Sequence, residues 1–177
     1  QADALTVDFS ALVGYQTVRC VGNLPYNIST PILFHCLAHK DVIHSMCFLL
    51  QKEVVDRLSA VPGCKAYGRL SVMVQYHCDV HAVCIIGPEA FDPPPKVDSA
   101  VVILNVRPPK VVAEDPAHLA ALVQKAFQMR RKTLRNALKA LVSDAVWSML
   151  DIDSGLRAEA LSVDDFVRLS NALQCLS

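Results

Sequence analysis

Four consecutive residues, Asn23-Leu24-Pro25-Tyr26, combine hydrogen-bond acceptors with an aromatic ring. The side-chain oxygen of Asn23 and the carbonyl of Leu24 can accept both hydrogens of an exocyclic amine, which localises the lone pair on the amine nitrogen. Tyr26 can stack on the base that carries this amine. The segment therefore suits an extruded adenine. A proline turn with asparagine at its corner is the other interpretation of the same residues.

The elements around this segment are expected to place it at the carboxyl end of a strand. Thr17–Gly22 is apolar and predicts a short buried strand, and Ser29 or Thr30 can cap a following helix with Pro31 in its first turn. That helix should end near His39. Further apolar or β-branched runs predict three more strands, at Met46–Leu50, Val80–Ile86 and Val97–Val106.

A second aromatic residue, Phe91, lies in a proline-rich connection between the last two of these strands. Prolines fix the backbone of this stretch, so the ring is held at a low entropic cost. Phe91 is therefore a candidate for the second face of a base-binding site. A hydrophobic plug beneath the loop is the alternative.

Two segments before Phe91 complete the α/β pattern. Lys52–Leu58 is expected to be a helical turn, and Leu70–His77 fits helix and strand equally well by periodicity. Strands alternate with helices, and the last two strands follow each other as a hairpin. This order predicts an open α/β sheet that ends in an antiparallel pair and occupies residues 1–107.

The remainder, residues 108–177, is expected to form a small all-α domain. Asp115-Pro116 provides an N-cap followed by proline at the first helical position, so a helix is predicted from there to Val142. Asp144–Leu150 predicts a short helix. Ser162 begins a capping-box pattern that predicts a last helix ending near Cys175.

The long predicted helix carries basic residues without acidic ones. At about 100° per residue, five cations fall together opposite an apolar face: Lys125, Arg131, Lys132, Arg135 and Lys139. A solvated face normally mixes charges of both signs, so this cluster favours contacts with the phosphate groups of a polyanion. An ordinary solvated face remains the alternative. Arg130 projects into the apolar side and could contact a carboxylate or carbonyl there, unless a kink near residue 129 turns it outward.

Composition excludes several other classes of protein. The formal net charge is zero, and no apolar run approaches the roughly 20 residues that span a bilayer. Residues 1–12 lack the basic start of a signal peptide, and the seven cysteines are scattered, so a cytoplasmic location with reduced thiols is expected. His77, Cys78, His81 and Cys84 fit no standard ligand spacing, so no metal is expected.

Several motifs together resemble the rRNA adenine N6,N6-dimethyltransferase family, and most closely its bacterial small-subunit (16S), KsgA-type members. Asn23 to Pro31 resembles the family's motif IV. The matching stretches that follow in order are Gln51–Leu58, Tyr67–Val72, Phe91–Val102 and Arg130–Asn136. They cover nearly the whole chain.

This resemblance implies a class I, S-adenosylmethionine-dependent methyltransferase fold with a Rossmann-like sheet, of which the chain holds the C-terminal half. It implies catalytic roles for Asn23, Leu24, Pro25, Tyr26 and Phe91, and it implies that Asp3, Ala4 and Asn23 bind S-adenosylmethionine. The implied substrate is two adjacent adenosines of rRNA in the immature small ribosomal subunit, methylated by a monomeric enzyme. A large-subunit rRNA methyltransferase of the antibiotic-resistance type and a non-catalytic RNA-binding assembly factor are the alternatives.

One feature of the family is missing from the sequence. The six glycines never cluster, so the glycine-rich motif that cradles the cofactor is absent. In this fold the strand order is 3-2-1-4-5-7-6, and the chain would supply strands 4, 5, 7 and 6. We therefore expect an N-terminally truncated chain that binds the cofactor poorly alone and whose first strand has an unpaired edge.

Overall fold

Alternating apolar residues build a four-stranded sheet in the computed structural model, which describes residues 2–14, 16–129 and 131–175. The strands in chain order are β1 (Val18–Asn23), β2 (Ile43–Gln51), β3 (Cys78–Ile86) and β4 (Ser99–Val106). Their order across the sheet is β1-β2-β4-β3. β1 and β2 are parallel, whereas β4 is antiparallel to both β2 and β3. The expected open sheet with a final antiparallel pair is confirmed.

The chain divides into two compact units. The first contains residues up to Ser59 together with His77–Pro108, and the second contains Ala60–Tyr76 and the residues from Pro109 onward. The sequence suggested a single division at residue 107, which would have placed Ala60–Tyr76 in the first unit. The second unit is therefore built from two separate stretches of the chain.

One face of the sheet forms the core of the first unit. Met46, Phe48 and Leu50 on β2 are at most 3% exposed. The helices of this unit are α1 (Phe9–Val13), α2 (Ser29–Ala38) and α3 (Lys52–Ser59). Because α2 and α3 both contact β2, they bury this face and leave the residues of the opposite face partly exposed.

β1 lies at the edge of the sheet, and the expectation that it is buried is wrong. Its residues alternate between half-buried and exposed, and the side chain of Val21 is 72% exposed. Within the described residues β1 pairs with β2 alone, as the expected unpaired edge requires. An edge strand of this kind contacts its sheet along one side only.

The start of α2 differs from the expected cap. Ile28 is the N-cap residue and α2 begins at Ser29, so Pro31 is the third helical residue and not the first. Proline is tolerated there because the first four N–H groups of a helix have no partner within the helix. The Ser29 hydroxyl donates to the Tyr26 carbonyl at 3.2 Å instead of capping the helix.

The second unit is helical in its described part. Its helices are α4 (Arg69–Gln75), α5 (Pro116–Gln128), α6 (Leu134–Ala137), α7 (Asp144–Leu150) and α8 (Val163–Gln174). The stretch beginning at Leu70, which periodicity left open between helix and strand, is helical. Asp115 caps α5 through its carboxylate, and Ser162 accepts from the N–H of Asp165 at the start of α8, as expected. Phe166 is fully buried in the core of this unit.

The long basic helix does not exist as one element. α5 ends at Gln128, Met129 leaves the helical region with φ −116° and ψ 71°, and α6 begins only at Leu134. The Leu134 N–H donates to the Leu156 carbonyl at 2.7 Å, and the Arg135 N–H donates to the Ser154 carbonyl at 2.9 Å. These bonds replace the helical ones, so the expected continuous helix to residue 142 is wrong. Arg130 lies outside the described residues.

None of the described helices is long and apolar enough to cross a membrane.

Candidate active site

The Asn23–Tyr26 segment forms a tight loop at the carboxyl end of β1. The Leu24 N–H donates to the Leu49 carbonyl on β2 at 3.2 Å, and the Pro25 carbonyl accepts from the Ile28 N–H at 3.2 Å. The loop is thus fixed to the neighbouring strand at one end and closed by a turn at the other. In open α/β sheets, the carboxyl ends of the strands are where ligands bind.

A cavity of about 340 Å³ opens beside this loop. It is lined by two separate segments, Asn23–Tyr26 after β1 and the proline-rich connection that contributes Phe91, Pro93 and Pro95. Its volume lies at the small end of the range for small-molecule sites. The fold therefore brings together all five residues for which the family resemblance implies catalytic roles.

Phe91 is held in the second segment by local backbone bonds. A short 3₁₀ turn, Pro88–Ala90, precedes it, and the Phe91 N–H donates to the Pro88 carbonyl at 3.1 Å. The ring is half-buried and lines the cavity. A hydrophobic plug would be fully buried beneath the loop, so this position fits a wall of the cavity better.

Tyr26 is anchored through its hydroxyl to a residue that sequence reasoning missed. The Tyr26 hydroxyl and the Ser99 hydroxyl lie 2.6 Å apart, and Ser99 is fully buried at the start of β4. The available signal was a serine at the point where the polar Asp98 gives way to the apolar run of β4. A serine in that position needs a partner for its hydroxyl.

Asp3 and Ala4 are not among the described residues that line this cavity. Both are exposed, and one Asp3 carboxylate oxygen accepts from the Leu5 N–H at 2.9 Å in a local turn. The Asp3 carbonyl accepts from the N–H of Thr6 in the same turn. The structure therefore joins Asn23 to the other catalytic candidates, but it gives no contact between Asn23 and Asp3.

The five cations of the second unit are all exposed, although the helix break separates them. They are Lys125, Arg131, Lys132, Arg135 and Lys139. Arg131 and Lys132 line a cavity of about 310 Å³ with Gln128 and Met129, directly after α5. The placement of all five on one face of a single helix is wrong, because only Lys125 lies on α5.

Arg135 differs from the other four cations because it has an acidic partner. Its guanidinium lies 3.2 Å from the Asp144 carboxylate and also donates to the Ser154 hydroxyl at 3.2 Å. Among the described residues, no ion pair involves Lys125, Arg131, Lys132 or Lys139. The positive charges of these four residues are therefore less compensated by acidic side chains than the charge of Arg135.

Several groups outside the cavity lining have displaced pKa values. A hydrogen bond between the Cys20 and Cys36 thiols lowers the pKa of Cys20 to about 7 and raises that of Cys36. Burial raises the pKa of Cys78 to about 12, and burial followed by the charge of Asp165 raises the pKa of Tyr67. No group of three or more metal-ligating side chains occurs among the described residues.

Comparison with known proteins places these features in a family. Residues 1–175 match the family model described as "Ribosomal RNA adenine dimethylase". The chain is 54% identical over 170 residues to "Ribosomal RNA small subunit methyltransferase A" of Xanthomonas oryzae pv. oryzae, covering 96% of this chain and 65% of that protein. The protein of the same name from Pseudomonas aeruginosa is 54% identical over 176 residues, covering 98% of this chain and 65% of the relative.

Solved structures support the same fold. A dimethyladenosine transferase from Plasmodium falciparum superposes with a TM-score of 0.79 at 26% identity, covering 96% of this chain and 69% of that one. The 23S rRNA methyltransferase ErmE superposes with a TM-score of 0.71 at 22% identity, covering 98% of this chain and 70% of that one, which indicates a shared fold alone. The expected class I methyltransferase fold is confirmed.

The chain spans about 65% of the length of the curated relatives that it matches. The family match extends over almost all of its residues and includes both segments that line the cavity. The chain belongs to the ribosomal RNA adenine dimethylase family.

Proposed function

We propose that the protein containing this chain transfers methyl groups from S-adenosylmethionine to the N6 amine of adenine in small-subunit rRNA. The observation that carries this proposal is the cavity that unites the Asn23–Tyr26 loop with Phe91. Family membership and relatives named as small-subunit rRNA methyltransferases support the choice of substrate. Two adjacent adenosines in the immature small subunit, a monomeric enzyme and a cytoplasmic location belong to the same proposal.

In this mechanism the protein prepares the amine for attack. Asn23 and Leu24 each provide an oxygen that accepts one amine hydrogen, so the lone pair of the nitrogen is localised and available. Tyr26 and Phe91 stack on the two faces of the extruded base, as aromatic residues do in other sites for unstacked bases. The described lining contains no carboxylate, histidine or lysine. This composition supports a reaction in which the nitrogen loses its proton only after the transfer.

The residues present fit S-adenosylmethionine in part. When bound, this cofactor supplies the methyl group. Asn23 is exposed at the cavity and can contact the cofactor. One carboxylate oxygen of Asp3 accepts from the Leu5 N–H, and the other can accept from the amine of the cofactor's adenine. Ala4 lies beside Asp3.

The basic residues of the second unit are proposed to hold rRNA. Arg131 and Lys132 are the strongest candidates because they line a cavity and are exposed. Lys125 and Lys139 can add phosphate contacts, whereas Arg135 is partly compensated by Asp144. Phosphate contacts of this kind position an RNA without reading its sequence.

The test is methyl incorporation by the product of the complete open reading frame that contains these residues. Small ribosomal subunits lacking the modification serve as substrate, and large subunits serve in a parallel reaction. We expect Asn23→Ala to lower kcat by roughly 10²- to 10³-fold, the typical loss when one preorganised transition-state hydrogen bond is removed.

Asn105→Ala is the matched control, since Asn105 is exposed in the same sheet but pairs with Ser45, toward the opposite end of β2. Incorporation into small subunits that is lost with Asn23→Ala and kept with Asn105→Ala supports the proposal. Binding without incorporation by the unmodified protein would favour an assembly factor, and incorporation into large subunits alone would favour the antibiotic-resistance type.

A further inference from the structure

The hydrogen bond between Tyr26 and Ser99 connects two parts of the sheet that are not neighbours. Tyr26 follows β1, Ser99 begins β4, and β2 lies between these strands. Ser99 pairs with Gln51, the last residue of β2, so the tyrosine side chain crosses the end of β2 to reach it. The contact joins residues 73 positions apart in the chain.

This contact fixes the direction of the Tyr26 ring. The Tyr26 carbonyl accepts from the Ser29 hydroxyl at 3.2 Å, while its own hydroxyl meets Ser99 at 2.6 Å. The residue is therefore held at its backbone and at the far end of its side chain. An aromatic ring restrained at both ends loses little further conformational entropy when a base stacks on it.

Ser99 is itself rigidly placed. Its side chain is fully buried, and the preceding carbonyl, that of Asp98, accepts from the Lys52 N–H at 2.9 Å. Ser99 also follows directly on the connection that carries Phe91. It is therefore hydrogen-bonded to the side chain of Tyr26 and linked through the backbone to the segment that holds Phe91. A firm support of this kind keeps reacting groups within the narrow geometry that catalysis requires.

We propose that Ser99 is a positioning residue that sets the Tyr26 ring against the target base and holds the two aromatic walls of the cavity in register. This inference rests on the proposed methyl transfer to adenine. Ser99 acts through Tyr26 and does not itself contact the base. The competing explanation is that Ser99 and Tyr26 only satisfy each other's hydroxyls and stabilise the fold.

The experiment compares Tyr26→Phe, Ser99→Ala and the double variant in the product of the complete open reading frame. Tyr26→Phe keeps the stacking ring and removes only its hydroxyl, which is the partner of the buried Ser99 hydroxyl. One lost hydrogen bond corresponds to a change of roughly 2- to 12-fold. We expect each single variant to lower kcat by that factor, the double variant to fall no further, and KM for S-adenosylmethionine to stay unchanged.

Ser45→Ala is the matched control, since Ser45 is another buried serine of the same sheet and its hydroxyl accepts from the Arg19 guanidinium at 2.9 Å. It lies six residues from Gln51 along β2, about 20 Å from the proposed site. Its loss should leave kcat unchanged.

A spectroscopic measurement separates positioning from stability. The fluorescence of 2-aminopurine, placed at the target position of an rRNA fragment, is quenched when the base stacks on an aromatic ring. At saturating protein, we expect weaker quenching with Tyr26→Phe and with Ser99→Ala than with the wild type. Equal kcat and equal quenching in wild type and Tyr26→Phe would overturn the inference while leaving the proposed function intact. If the wild-type protein incorporates no methyl groups, the proposed function itself fails.

Discussion

The salt dependence of RNA binding should fall when Arg131 and Lys132 are replaced together by glutamine. Both side chains are exposed and line the cavity after α5, and neither belongs to an ion pair among the described residues. Arg135 is a poorer choice, because the Asp144 carboxylate at 3.2 Å already offsets its charge. The double variant therefore removes the two exposed cations that line this cavity together.

The size of the effect follows from counterion release. Each phosphate contact contributes about 0.7 to the slope of log K against log salt concentration for single-stranded nucleic acid. Losing two contacts should reduce the slope by about 1.4. A fourfold rise in salt, from roughly 50 to 200 mM, would then weaken the variant about 7-fold less than the wild type.

Dissociation constants for a small-subunit rRNA fragment, measured by fluorescence anisotropy at four or more salt concentrations, give this slope. Lys65→Gln with Lys110→Gln is the matched control, because it removes the same charge from exposed positions of the same unit. Equal slopes for the two double variants would show that net charge, and not local phosphate contact, controls binding. A slope equal to that of the wild type would refute the reasoning altogether.

Two further predictions concern stability. Phe166 is fully buried, so Phe166→Ala should lower the free energy of unfolding by about 3–5 kcal/mol. Met149 is 62% exposed, so the control Met149→Ala should change that free energy by less than about 0.5 kcal/mol. Similar urea midpoints for the two variants would contradict this prediction. Burial raises the pKa of Cys78 from 9.0 to about 12. As pH rises, the thiol of Cys78 ionises in the unfolded protein before it ionises in the folded one. The folded state therefore keeps its full stability with respect to this thiol below pH 9 and loses some of it between pH 9 and about pH 12. Urea midpoints of the wild type should therefore fall more steeply above pH 9 than those of Cys78→Ala, and parallel curves would refute this.

Local sequence signals predicted much of the fold because they act over a few residues. Two helix starts depend on a neighbouring side chain, namely the Asp115 cap of α5 and the capping Ser162 of α8. The strand order β1-β2-β4-β3 was available through the family resemblance, since local patterns alone do not specify which strands pair.

Periodicity offered the helix break only as an alternative, a kink near residue 129 suggested by the position of Arg130 on the apolar side. Leu122 and Leu134 are both buried, so apolar spacing continues across the break as though one helix were present. The bonds that end the helix come from the Ser154–Leu156 region, which lies about 20 residues later in the chain. A pattern that reads only nearest neighbours cannot reveal a partner at that separation.

The candidate site shows the same division between local and distant information. Asn23 and Tyr26 could be proposed as site residues from their own spacing, whereas the sequence around Ser99 shows a serine that needs a partner but does not show that the partner is Tyr26.

The lining of the cavity shows what its residues would contribute to the proposed methyl transfer. Its described residues offer amide and carbonyl oxygens, aromatic rings and prolines. In the proposed reaction these groups hold the amine and the base in a fixed geometry. The prolines of the Phe91 segment and the two bonds of Tyr26, at its carbonyl and at its hydroxyl, restrain that geometry. A site that depends on geometry in this way is sensitive to the residues that support its walls as well as to those that contact the base.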